Sequence, residues 1–218
     1  MNFELMANSF PLLLAGAAIT VEITAMSVTF GLLIGCMIGI ARLCSIKPLR
    51  YFANVYVDFI RGTPLLVQIF LVYFALPNII GSRVDPFVAA ISACSINSGA
   101  YVAEIFRSGI MSIDNGQFEA ARSLGLNYRQ TMIQVILPQA FKNVLPALVN
   151  EFIVLIKETS IIGYIGMMDL TKGAMLIQSR TYNAFWPLMA AAAIYLVIVG
   201  ILTWGMNKLE RRLRTSER

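Results

Sequence analysis

Hydrophobic residues along this chain gather in long runs separated by short polar segments. A helix needs about 20 mainly apolar residues to cross a hydrocarbon layer of about 30 Å. Five runs approach that length. They predict spans at about 10–41, 54–76, 87–106, 139–156 and 186–206. The first, Phe10 to Ala41, is interrupted only by Glu22, and the second carries Asp58, Arg61 and Pro64 near its start. Gly62 and Pro64 predict a break or bend there. The stretch before the first run carries Glu4 and no lysine or arginine, the reverse of a signal peptide's basic flank, so the run is expected to be retained.

Between the third and fourth runs the pattern changes. Asp114 has the chemistry of a helix N-cap, with Gln117 placed to bond back and Ile113 and Phe118 placed as a hydrophobic staple. Good helix formers follow, and Gly125 supplies a left-handed stop. A helix this short needs a support. One support is the lipid surface. The other is a protein groove, which the small side chains of Ala120 and Ala121 and the charges of Glu119 and Arg122 favour, since a lipid-binding helix shows large apolar residues opposite several basic ones. The 161–185 segment, with Gly163, Gly166 and Gly173, predicts a further short helix at the outer surface.

Charge then gives direction. Twelve of the 17 lysines and arginines flank one side of the five spans, from Arg42, Lys47 and Arg50 to the basic C-terminus, whereas only Arg83, Lys172 and Arg180 flank the other. Lysine and arginine are retained in the cytoplasm. The N-terminus is therefore expected outside and the C-terminus inside, and the net charge of +5 is a topology signal with no nucleic-acid surface behind it.

Composition excludes several classes. With 58% hydrophobic and 13% charged residues, and a mean hydropathy of +0.72, the 218-residue chain lies far from soluble domains. It has no histidine, which removes the commonest metal ligand and general base, so neither a catalytic nor a metal site is expected. Cys36, Cys44 and Cys94 read as small buried side chains.

Ionisable residues at membrane depth are costly and face cavities or one another. Asp58 and Arg61 are three apart and are expected to pair. Glu151 and Glu158 are seven apart, which places them within 20° on one helix face. Glu151 in mid-span suits either a pathway lining or a helix-to-helix hydrogen bond. The cluster Ser95, Asn97, Ser98, Gly99 and Tyr101 suits either helix packing or a ligand site.

The sequence Glu119-Ala120-Ala121, then Gly125, Val135 and Leu137-Pro138, resembles the EAA loop of permease subunits in bacterial ABC importers, where isoleucine takes the place of Val135. Arg61-Gly62-Thr63-Pro64-Leu65-Leu66-Val67-Gln68, Asn150-Glu151-Phe152 and Lys157-Glu158-Thr159-Ser160 extend the likeness over nearly the whole chain, to the polar amino acid permeases of the histidine, glutamine and arginine type. This resemblance implies an all-α integral membrane fold of the type I importer kind, one transmembrane domain over 1–218 with a cytoplasmic coupling segment at 108–138. Glu119, Ala120, Ala121 and Gly125 would form the coupling element. Leu65, Asn97, Ser98 and Glu151 match residues that bind substrate within the membrane in some members, and Gly99 stands where relatives carry serine.

The implied setting is the bacterial inner membrane. Implied partners are a second permease subunit (like or unlike), a cytoplasmic ATPase dimer that binds ATP and magnesium, and an external binding protein. The chain itself has no G-x-x-x-x-G-K loop and no cofactor is expected in it. The competing readings are an ATP-independent carrier or channel and, remotely, a membrane enzyme.

Overall fold

The computed structural model describes residues 3–215, which form helices and no strand. Arg218, one of the basic residues that sets the expected direction, lies outside the described residues. In chain order the helices are α1 (Phe3–Leu43), α2 (Lys47–Arg61), α3 (Leu65–Phe70), α4 (Leu76–Ile80), α5 (Pro86–Met111), α6 (Asn115–Ser123), α7 (Tyr128–Thr131), α8 (Leu137–Glu158), α9 (Leu170–Thr181) and α10 (Phe185–Thr215). Ser9–Leu43, Pro86–Met111 and Phe185–Lys208 are each long and apolar enough to cross a membrane.

The other two expected spans take different forms. Lys47–Arg61 and Leu65–Ile80 qualify only as a pair, bent by 104° at the Gly62-Thr63-Pro64 break, so the run expected as a single helix over 54–76 is an angle. The apolar run began inside an amphipathic helix that buries Ala53, Val57 and Ile60 and exposes Tyr51, Phe52 and Phe59. The 139–156 run is a helix of 22 residues, α8, that carries Lys142, Asn143, Asn150, Glu151, Lys157 and Glu158. It is not among the helices long and apolar enough to cross a membrane by themselves.

Two prolines reshape the helices in the same way. A π-turn at Leu71–Ala75 precedes Pro77, and another at Met132–Ile136 precedes Pro138. A proline donates no hydrogen bond and its ring crowds the carbonyl four residues back. One wider turn admits the ring without ending the helix.

α1 and α5 form the longest contact in the fold. They approach closely because their facing residues are small. A Cβ on Gly31 would lie 2.8 Å from Ser98 Cβ, and one on Gly99 would lie 2.6 Å from Ile34 Cγ2. The core beside this contact joins Ile23 of α1, Leu65 and Ile69 of α3, Ala89, Ala90, Ala93 and Cys94 of α5, and Leu155 of α8. Cys94 is buried as expected, but Cys36 and Cys44 are only partly covered and line an open apolar cavity instead.

The 161–185 segment holds a 3₁₀ turn, Thr159–Ile165, and then α9, capped by Asp169 whose carboxylate accepts from the Thr171 and Lys172 amides at 2.9 and 3.1 Å. The expected short helix is there, and α9 buries Leu170, Gly173, Ala174 and Ile177 between α1 and α10. Thr20 Oγ1 accepts from the Leu170 amide at 3.2 Å, and Thr24 and Thr159 hydroxyls meet at 3.4 Å, so α1 holds this end of the molecule.

Candidate functional site: a buried polar group and an exposed coupling helix

The break between α2 and α3 leaves backbone carbonyls without helical donors, and in a membrane each must find one in the protein. Gln68 supplies them. Its Nε2 donates to Ile60 O at 2.8 Å, Thr63 O at 3.1 Å and Thr63 Oγ1 at 3.0 Å. Its Oε1 accepts from Asn97 Nδ2 of α5 at 3.0 Å. Leu65, another of the four expected pathway residues, lies on the same short helix and packs into the core.

Asn97 and Ser98 are 3% and 0% exposed. Their remaining polar atoms, Asn97 Oδ1 and Ser98 Oγ, have no hydrogen-bond partner among the described residues, and the same holds for Ser27 and Ser95 nearby on α1 and α5. Glu151 is partly buried on α8, and its polar neighbours are Ser98, Glu158 and, at longer range, Arg61. The structure therefore brings Ser98 of α5 and Glu151 of α8 together, while Asn97, next to Ser98 in the chain, turns to Gln68 of α3.

Arg61 does not pair with Asp58. Asp58 points out of the fold on the exposed side of α2, while Arg61 turns inward, over the Tyr101 ring at 5.3 Å and 3.7 Å from Glu104. Helical spacing allowed the local pair, but α2 packs against α5 and the Arg61 side chain reaches the carboxylate already there. Glu104 is a hub. Arg42 of α1 meets it at 2.6 Å and Arg107 at 2.5 Å, and Arg42 also donates to Asn54 Oδ1 at 2.8 Å. One carboxylate thus ties α1, α2 and α5 together on the side where the basic flanks lie. Sequence spacing signalled only Arg107, three residues from Glu104; Arg42 is 62 positions away and no local pattern connects the two.

The coupling segment leaves from the end of α5. Asp114 caps α6 through the Gly116 amide at 2.6 Å. The expected return bond from Gln117 is not made: Gln117 Oε1 instead accepts from Gln139 Nε2 of α8 at 3.3 Å, and the capping box occurs at Asn127 and Gln130. α6 ends as expected, with Gly125 at φ +87°, Gly125 N bonded to Arg122 O at 3.0 Å and Leu126 N to Ala121 O at 3.2 Å, a Schellman stop.

The small face expected for docking is divided. Ala121 is 4% exposed and lies on the side of α6 toward the molecule's own π-turn before α8, whereas Glu119, Ala120 and Leu124 face outward, Leu124 at 83%. Asn143 Nδ2 donating to Ser112 Oγ at 2.9 Å ties the end of α5 to the base of α8, and the Gln139 bond brings α6 to the same place. The Phe118 and Tyr128 rings pack edge to face at 5.7 Å, above an open cavity of about 920 Å³ whose lining includes Cys36, Ile40, Phe106 and Met132.

Known proteins share this arrangement. Residues 28–215 match the family described as binding-protein-dependent transport system inner membrane component. The arginine transport system permease protein ArtQ of Bacillus subtilis (strain 168) is 42% identical over 217 residues, covering 100% of this chain and 99% of its own. The putative glutamine transport system permease protein GlnP of Rickettsia conorii is 41% identical, over 97% of this chain and 98% of its own. A crystal structure of an amino acid ABC transporter with histidines superposes with a TM-score of 0.92 at 46% identity, covering 97% of this chain and 99% of that one. The likeness runs from end to end. This chain belongs to the family of binding-protein-dependent transport system inner membrane components, as a multi-pass permease of the ABC importer type.

Proposed function

We propose that this chain forms the translocation pathway of an ATP-driven uptake system for a polar or basic amino acid. Two copies, or this chain and a homologous one, enclose the pathway; a separate ATPase dimer binds ATP and magnesium; an external binding protein delivers substrate. The N-terminus lies outside and the C-terminus in the cytoplasm, in keeping with the basic flanks. The carrier or channel reading is set aside by membership of a binding-protein-dependent family.

The observation that carries the reading is α6. It is pinned to α8 by one face and offers Glu119, Ala120 and Leu124 on the other, beside a glycine-made stop. Leu124, exposed at the end of the helix, is the apolar side chain this face offers for burial against a partner. ATP-driven closure of the ATPase pair draws two such helices together and turns the permease pair from inward-facing to outward-facing. Asn97, Ser98 and Glu151 line the way through, with Glu151 as the partner of a cationic group.

The test replaces Gly125 with valine. A β-branched residue at φ +87° costs about 1–3 kcal/mol locally and reshapes the stop. Reconstituted with its ATPase and binding protein, Gly125→Val is expected to insert in the membrane yet lose both uptake and transport-stimulated ATP hydrolysis. Retained uptake would remove α6 as the coupling element.

A further inference from the structure

An amide side chain can present either its oxygen or its nitrogen to a neighbour, and for buried Asn97 that choice decides what the polar group offers a ligand. Two of the atoms around Gln68 settle it. Ile60 O and Thr63 O are carbonyls and only accept, so the end of Gln68 that meets them at 2.8 and 3.1 Å is its donor end, Nε2. Gln68 Oε1 is thereby turned to α5, where it only accepts, and Asn97 must give it Nδ2, at 3.0 Å. Asn97 Oδ1 is left as a buried acceptor with no partner among the described residues. Its polarity is inherited from two backbone carbonyls freed by the break at Pro64.

We infer that Gln68 is a positioning residue that sets the specificity of the pathway: by clamping Asn97 it fixes Asn97 Oδ1 as an acceptor, which together with the Glu151 carboxylate of α8 makes the pathway selective for a cationic N–H donor over its neutral isostere. This rests on the reading that Asn97 and Glu151 line the pathway. Gln68 is 6% exposed and touches no ligand itself; it acts through Asn97. The same clamp ties the site to the bend, since Ile60 precedes Arg61 in the last turn of α2 and Arg61 reaches Glu104. Ser98, the buried group beside Glu151, carries a rotatable hydroxyl and adapts to either polarity.

The experiment measures binding of arginine and of citrulline, its neutral isostere, to the purified permease–ATPase complex by equilibrium dialysis, with no binding protein present to select first. Gln68→Leu keeps the volume and removes the clamp. Asn97 is then free to offer either end, and the preference for arginine over citrulline is expected to fall about tenfold, the order of one hydrogen bond to a charged group. Adding Asn97→Asp to Gln68→Leu restores an acceptor whichever way the side chain turns, so the double variant is expected to recover the preference. A Gln68 that merely fills space predicts no such rescue, and a double variant as impaired as the single one overturns the assignment. Glu151→Gln separates the two levels. If it weakens arginine binding while Gln68→Leu keeps the wild-type ratio, the role of Gln68 is wrong and the pathway stands; if wild type binds no arginine, or Glu151→Gln binds it unchanged, the pathway reading fails and the inference with it.

Discussion

Glu104 faces three guanidinium groups and satisfies two of them closely, Arg42 at 2.6 Å and Arg107 at 2.5 Å, with Arg61 held more loosely at 3.7 Å. Removing the carboxylate leaves like charges together, one of them, Arg42, largely out of water. Breaking a fully buried pair costs about 3–5 kcal/mol. Arg61 and Arg107 retain access to water, so Glu104→Gln is expected to cost about 2 kcal/mol. Thermal unfolding in detergent should show a lowered midpoint, and an unchanged midpoint would show that the hub contributes nothing to stability. Gly31 makes a second demand at this scale. Gly31→Val would force α1 and α5 apart, because even its Cβ stands 2.8 Å from Ser98 Cβ. Overpacking of this kind costs about 1–3 kcal/mol. Because the strain falls on Ser98, arginine binding should weaken along with stability, and a variant that lowers stability alone would separate the packing seam from the pathway.

Among the elements, α6 shows best what a local pattern can and cannot say. Its N-cap at Asp114 and its stop at Gly125 are local chemistry and were legible from a handful of adjacent residues. The partner of Gln117 was not, because Gln139 competes for it from the next helix. Nor was the facing of the two alanines: both lie on a short helix whose orientation is set by where α8 begins. Leu124 emerges as the residue to change. Burying a leucine contributes about 1.5–3 kcal/mol, so Leu124→Asp is expected to weaken ATPase association at least tenfold in a pull-down or by interferometry, with the permease fold intact. Association at wild-type strength would place the contact elsewhere. The second expected span is instructive for the opposite reason. Hydropathy joined two elements into one run, and the helix breakers inside it, Gly62 and Pro64, were the better guide to the 104° bend. Gln68 belonged to the same quoted motif, yet its role depends on carbonyls that only the bend exposes.

The whole molecule follows a simple division. α10 gives its sides to apolar surroundings, with Leu196, Val197, Ile201 and Trp204 all exposed, while α5 is enclosed and carries the polar cluster. Composition and run length were enough to find the class and the three apolar spans, since these depend on sums over many residues. The buried polar network escaped that level because it depends on pairs such as Gln68 with Asn97 and Arg42 with Glu104, which only packing brings together. The direction across the membrane proposed from the basic flanks has its own check. In a cysteine-free background, Arg83→Cys is expected to react with an impermeant maleimide added outside intact cells, and Leu124→Cys only after lysis; the reverse pattern would invert the molecule.

The central claim is that this chain moves an amino acid only when its outward-facing α6 engages an ATPase. Uptake of labelled arginine into proteoliposomes tests it most directly, comparing this permease alone with the permease joined to its ATPase, binding protein and enclosed ATP. The account predicts accumulation in the complete system alone, abolished by Leu124→Asp. Equilibration of arginine through the permease alone, or ATP-dependent uptake undiminished by Leu124→Asp, would contradict it.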